Sequence, residues 1–426
     1  MVNISKHLDV PNTLARNASI SGVYEDVDQR LITSLKSNLI DPKPLLICSG
    51  GTSNRCAADR HWTLDLRKNF NYIGKLSNNN EIDIGAGSKM GTLIQTLCKK
   101  GRSFPIGLSG ETGLGYILTG GISPLSRSEG LAIDQIVEIQ GIYGNGEGFK
   151  ITKPNRLSSP KDISIWKGLS GAAPFFSIVT NIKVKTKEIE PLIIIEADIN
   201  PDLLVKIIRF AEECSIYSSI QWIWCETIRI YVVIKVNQEA GMKDLNGLKN
   251  LFGSKYRYKA TKSNGLIGIP SFSNNKIKPN NEIASEVIGL LSPEWGNDTN
   301  KIVTSLIYDL ISTRPHPKCS IASQQLGGVT NTKNNSSFVH RNSIWKPWIT
   351  AAWEINDEEG KNLSIKWLEM AWETLEIYCP WVHIAQIHTN SKWKSKEAHS
   401  AYGNWLPGLI NLKSDLDPNG ILPSIL

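Results

Sequence analysis

Seven glycines, Gly107, Gly110, Gly113, Gly115, Gly120, Gly121 and Gly130, fall between Pro105 and Asp134. Glycine weakens helices and strands, so this density suits turns of positive φ or a close approach of backbone to a ligand. Successive N–H groups in such turns form a concavity for anions, and a diphosphate is the natural guest of two of them. A second glycine turn lies upstream, where the apolar run Pro44-Leu-Leu-Ile47 is followed by Cys48, Ser49, Gly50, Gly51, Thr52 and Ser53. Turn chemistry alone would also explain a glycine cluster at the surface. Against that reading, Leu108, Leu114, Ile117 and Leu118 separate the glycines and mark a buried segment.

Other side chains narrow the chemistry. The seven cysteines form no C-x-x-C pair and the seven histidines no H-E-x-x-H spacing, so neither a disulfide framework nor a metal site is indicated. Free thiols and the lack of an apolar stretch behind Met1 point to a cytoplasmic protein. No apolar run approaches the roughly 18 residues of a membrane span. The net charge of +7 is spread over single Lys and Arg residues. Nucleic-acid binding would need them clustered on one face, so a small-molecule partner, with some attraction for anions, is expected instead. The sequence does not indicate an oligomeric state.

The glycine turns and two later segments resemble the FAD-binding domain of the p-cresol methylhydroxylase and vanillyl-alcohol oxidase superfamily (PCMH-type), nearest its berberine-bridge-enzyme-like branch. That branch carries in order R-S-G-G-H-S, T-x-G-x-G-G, L-S-R-x-x-G-L-x-x-D and W-x-x-R-G-G-G. The corresponding stretches here are Cys48-Ser-Gly-Gly-Thr-Ser53, Thr112-Gly-Leu-Gly115, Leu125-Ser-Arg-Ser-Glu-Gly-Leu-Ala-Ile-Asp134 and Trp166-Lys-Gly-Leu-Ser-Gly-Ala172. The resemblance implies FAD held by Ser49, Gly50, Gly51, Thr52, Ser53, Ser109, Thr112, Gly113, Gly115, Gly120, Gly121, Ile178, Val179 and Asn390. Thr52 and Ser109 stand where the branch often links flavin through His and Cys, so non-covalent FAD is expected. Pro174-Phe-Phe-Ser177 replaces a G-N-F-G turn, and its proline lacks a backbone donor.

The branch often takes its base from a Tyr in a Y-x-N segment. Here Ile384-Ala-Gln-Ile-His-Thr-Asn390 admits two registers, one placing His388 and Asn390 on the motif and one placing Gln386 at the Tyr position. His388 is the candidate base, because imidazole accepts protons near neutral pH and an amide does not. On a strand, alternation would set Gln386 and His388 on one face and His383 on the other. Phe338-Val-His-Arg341 resembles an F-P-H-R segment, which makes His340 a candidate pocket contact beside a plain structural role. An FAD-dependent oxidoreductase, an oxidase or dehydrogenase removing hydride from a small alcohol, sugar or secondary metabolite, is the implied activity. The alternatives are a flavin-binding protein that has lost oxidation chemistry and the same fold without flavin.

Around these residues, 426 positions are too many for one core. An α+β protein is expected, with a two-part PCMH-type FAD-binding domain over 1–187, a substrate-binding unit over 188–384 with an antiparallel sheet and flanking helices, and a return to the first domain over 385–426. Short strands at 45–47 and 62–66 flank the first turn, and an amphipathic helix covers 90–100. A hairpin turns at Gly144-Asn-Gly146. From about Glu188 glycine thins out and β-branched strands and longer helices follow. Trp222 and Trp224, at period two, share a strand face that lines either a pocket or, more simply, a core. The helix at 362–378 is expected to bury Leu363, Trp367, Met370 and Leu375.

Overall fold

The computed structural model describes residues 2–3, 7–268, 282–332, 335–388 and 392–426. Strands β1 (Val2–Asn3), β2 (Gly22–Tyr24), β3 (Leu46–Cys48) and β4 (Trp62–Asp65) form a sheet in the order β1-β2-β4-β3. The β2–β4 and β3–β4 pairings are parallel. Strand β5 (Glu81–Gly85) belongs to a second sheet, and β6 (Arg102–Ser103) to a two-stranded ribbon. Strands β7 (Ile136–Tyr143), β8 (Gly148–Thr152) and β9 (Ser177–Lys185) complete the second sheet as β5-β9-β7-β8, and β10 (Lys187–Glu188) pairs with β6. The β7–β8 hairpin closes through Gly146, whose φ of 79° is the left-handed geometry that such a turn requires. The helix Met90–Cys98 buries Met90, Leu93, Ile94 and Leu97, as its spacing predicts.

The third sheet holds eight strands: β11 (Pro191–Ile199), β12 (Ser218–Trp224), β13 (Ile228–Lys235), β14 (Lys259–Asn264), β15 (Ile283–Leu291), β16 (Ser320–Gln325), β17 (Trp345–Glu354) and β18 (Trp381–Val382). They lie in the order β14-β11-β13-β12-β16-β17-β15-β18 and are antiparallel throughout. One face is apolar, with Ile220, Trp222, Trp224, Ile230, Val232, Trp345 and Ile349 all buried. Helices Pro201–Glu213, Glu239–Phe252, Gly296–Ser312 and Glu358–Leu375 pack on this sheet. Trp222 and Trp224 are therefore core. The opposite face carries a polar row, because Glu196, Tyr231, Gln221, Gln324 and Lys346 are register partners across β11, β13, β12, β16 and β17.

The helix Glu358–Leu375 corrects one expectation. Trp367, Leu368, Ala371, Trp372 and Leu375 face inward, while Leu363 and Met370 are 50% and 44% exposed. Ala371 and Trp372 sit one and two positions on from Met370, the residue assigned to the stripe. Among the described residues, no helix is long and apolar enough to cross a membrane.

Candidate functional site

The two glycine turns meet. A Cβ on Gly50 would lie 2.3 Å from the Gly113 nitrogen, and one on Gly113 would lie 2.3 Å from Ser49 Oγ. Only glycine allows backbones this close. Gly51 has a φ of 71°, which turns the chain back after β3. Ser49 Oγ ties the turns to their surroundings by donating to the Ala86 carbonyl at 2.6 Å. None of the N–H groups of Gly50, Gly51, Thr52 and Ser53 donates to a protein acceptor among the described residues. Four successive free donors in a glycine turn make an anion-binding concavity.

These turns line a cleft of about 240 Å³. Its walls include Ser49, Gly50, Gly51, Thr52 and Ser53 from the first turn and Thr112, Gly113, Gly115, Tyr116 and Thr119 from the second. The far wall comes from Gly171, Pro174, Phe175, Ile384, Ala385 and Pro423. Gly171 lies beyond Trp166 in a helix that breaks there, with φ of 132°, and a Cβ would meet Ser337 Cβ at 2.8 Å. Arg55 closes the end: Nη1 donates to the Ile387 carbonyl at 2.7 Å and Nη2 to that of Ala385. Sequence reasoning missed Arg55, since nothing local ties residue 55 to a segment more than 300 positions away; Ile384 and Ala385 begin the segment already singled out for the base.

The closing segment is not a strand. Ile384–Gln386 is a single 3-10 turn, so the expected alternation of faces does not apply. Instead the His383 ring reaches Gln386, three residues on, with Nδ1 and Oε1 3.2 Å apart. His383 is fully buried and its Nε2 has no partner among the described residues. A Cβ on Gly120 would lie 3.7 Å from that nitrogen and 3.1 Å from the Phe338 ring. Burial, the Lys346 charge and Arg55 hold the imidazole well below its usual pKa, outweighing the Gln386 bond.

His388 has the opposite setting. Its Nδ1 lies 2.6 Å from Glu397 Oε1 and its Nε2 2.8 Å from Glu286 Oε1, while its backbone N–H donates to Glu397 Oε2. Burial opposes a charge on this ring, but the two carboxylates outweigh it and push the pKa up to about 9. At neutral pH both nitrogens are protonated and donated, so neither can accept a substrate proton. These two bonds argue against the base role expected of His388. Glu286 also accepts from Asn54 Nδ2 at 2.8 Å, which links the first glycine turn to β15.

Residues 30–152 match the family described as "FAD binding domain". This stretch is an FAD-binding domain. The FAD-linked oxidoreductase YgaK of Bacillus subtilis (strain 168) is 24% identical over 368 residues, covering 79% of this chain and 75% of that protein. BBE-like 1 of Physcomitrella patens shares the fold, with a TM-score of 0.82 at 17% identity over 98% of this chain and 93% of its own. So does a carbohydrate oxidase from Microdochium nivale solved with a substrate analogue, at a TM-score of 0.82 and 17% identity over 98% and 94% of the two chains.

Within and beyond the FAD-binding domain, the predicted cofactor residues separate into groups. Ser49, Gly50, Gly51, Thr52, Ser53, Thr112, Gly113 and Gly115 line the cleft. Ser109 does not; its Oγ accepts from the Glu111 N–H and its carbonyl from Thr112 Oγ1, which shapes the second turn. Gly120 faces His383, and Gly121 packs on Ala132, where a Cβ would lie 2.4 Å from that methyl. Ile178 and Val179 are buried in β9 against β7 and do not line the cleft. Asn390 lies outside the described residues. His340 turns away, with Nε2 2.7 Å from the Ser400 carbonyl and its ring stacked on Trp381.

Proposed function

We propose that this FAD-binding protein is an oxidoreductase that removes hydride from a small alcohol, sugar or secondary metabolite, with FAD bound non-covalently. The observation that carries this reading is the pair of interlocked glycine turns, with four free N–H donors opening into one cleft. Gly50, Gly51, Thr52 and Ser53 would hold the diphosphate, and Gly113 and Gly115 would let the cofactor lie against the second turn. FAD supplies the hydride acceptor when bound; the chain supplies orientation and proton handling. Thr52, in the cleft wall, has a hydroxyl in place of the imidazole that links flavin elsewhere, and Ser109 lies outside that wall. The seven unbonded cysteines support a reducing, cytoplasmic setting.

Three measurements test this. Purified protein incubated with FAD should show flavin absorbance after desalting. Acid precipitation should leave the colour in the supernatant, and colour retained by the pellet would overturn non-covalent binding. Reduction of an artificial electron acceptor by a panel of alcohols and sugars tests the activity. Protein that holds FAD yet reduces nothing in the panel, while its flavin is still reduced by dithionite, would favour the binding protein without oxidation chemistry.

A further inference from the structure

We propose that Lys346 is the base that takes the hydroxyl proton of the substrate, beside a neutral His383 that positions it. This rests on the FAD-dependent oxidation proposed above and adds the residue that accepts the proton.

The geometry starts at β17. Lys346 is 6% exposed and its Nζ lies 4.4 Å from the centre of the Trp348 ring. Among the described residues, no carboxylate pairs with it. Trp348 is the register partner of Gly289 in β15, and a Cβ on Gly289 would strike Gln386 Oε1 and lie 3.3 Å from His383 Cβ. Register partners project to the same face of a sheet, so Lys346, Trp348, Gln386 and His383 share one space. That space borders Gly120, which follows the cleft residues Tyr116 and Thr119. Lys346 therefore lies on the polar face of the large sheet, in the space that borders Gly120, while the lining of the cleft itself comes from other residues.

Its surroundings suit a base. Burial lowers the Lys346 pKa to about 7, so much of the amine is neutral and able to accept a proton at physiological pH. A buried, unpaired ammonium would otherwise be costly. In His383 the Gln386 oxygen can only accept, so Nδ1 carries the ring proton and Nε2 is a bare acceptor. Two positive charges in this space repel, and His383 stays neutral while Lys346 takes the proton. Arg55, behind the closing segment, is the other cation that acts on His383. Bound FAD would accept the electron pair of the breaking substrate C–H bond as hydride. The O–H bond breaks, its proton passes to Lys346 Nζ, and its electron pair closes the C=O bond. The ammonium returns its proton to water as the carbonyl product leaves.

The test has a readout independent of turnover. Protein with lysines enriched in ¹³C at Cε is titrated by NMR with and without FAD, the Lys346 signal being the one missing in Lys346→Gln. A midpoint near 7 is expected; a midpoint near 10, the ordinary lysine value, overturns the proposal. Flavin reduction by cellobiose and by benzyl alcohol is then followed in stopped flow. With a reducing substrate, Lys346→Met should slow reduction by about 10²–10⁴-fold while the FAD spectrum and affinity hold. Added methylamine should restore part of the rate in Lys346→Ala. Reduction of Lys346→Met at the wild-type rate overturns the role of Lys346 and leaves the flavin reading intact. Wild-type protein that binds no FAD overturns that reading instead, and this proposal with it.

Discussion

His388 is held between Glu397 at 2.6 Å and Glu286 at 2.8 Å, and Lys346 has no such partner among the described residues, so their proton affinities move in opposite directions. The folded pKa of His388, about 9, lies above the ordinary 6.5. Its contribution to stability is complete below pH 6.5 and is lost as pH rises through 9. Removing the ring leaves two buried carboxylates without their cation, which costs about 3–5 kcal/mol. His388→Ala should therefore melt well below wild type at pH 6, and the gap should narrow above pH 9. Equal melting temperatures at pH 6 would refute the clamp. Lys346 has the reverse sign: its folded pKa of about 7 lies below the ordinary 10.5. It lowers stability at pH 7 and below, and that burden lifts as pH rises from 7 to 10.5. Lys346→Met should raise the melting temperature at pH 6 and change it much less at pH 10.5. Two histidines five residues apart look alike in a sequence; distant acids, Glu286 among them, decide which one is charged.

The two glycine turns were legible because the physical demand is local. A Cβ at Gly50 or Gly113 would enter the other turn's backbone, and that requirement leaves glycine in the sequence. The closing segment was not legible, because its 3-10 turn depends on Arg55 binding the carbonyls of Ala385 and Ile387. Within the second turn, two glycines should respond differently to substitution. Gly113→Ala drives its methyl into Ser49 Oγ and the Gly50 nitrogen, so the turns must part. A loss of about 1–3 kcal/mol is expected with weakened FAD binding. Gly115 has nothing within 4 Å of its Cβ position and lies in the helical turn Leu114–Ile117. Gly115→Ala should leave the apoprotein as stable or up to about 1 kcal/mol more so, by helix propensity. FAD affinity should fall nonetheless, because the methyl projects into the cleft. Calorimetry of the apoprotein and an FAD titration by fluorescence separate the two outcomes; unchanged FAD affinity in Gly115→Ala would remove the cofactor from that wall.

At the scale of the whole chain, the change of composition near Glu188 marks a change of architecture: the first three sheets use strands up to β10 and the large sheet those from β11. What joins them was hidden, because ion pairs between remote positions leave no local pattern. Lys235 of β13 pairs with Glu129 at 2.8 Å and also with Glu190, and the Lys235 and Glu129 side chains are each 6% exposed. Arg341 grips Asp134 with two bonds of 2.8 and 2.9 Å. Both pairs fasten residues 129–134, the end of the run that begins at the second glycine turn, to the unit built on the large sheet. Removing Glu129 leaves the buried Lys235 with Glu190 as its carboxylate, so Glu129→Ala should cost about 1–3 kcal/mol, the worth of a charge-assisted bond. Because the same run continues into the cleft, the loss should reach FAD binding as well as melting. Bound FAD adds about 2.7 kcal/mol when its concentration is 100 times Kd, so calorimetry with and without FAD resolves the two effects. One cooperative transition, shifted down in Glu129→Ala with a smaller rise on adding FAD, is the expected result. Two transitions with only one displaced would mean that the units melt independently and that the ion pair does not couple the cleft to the sheet.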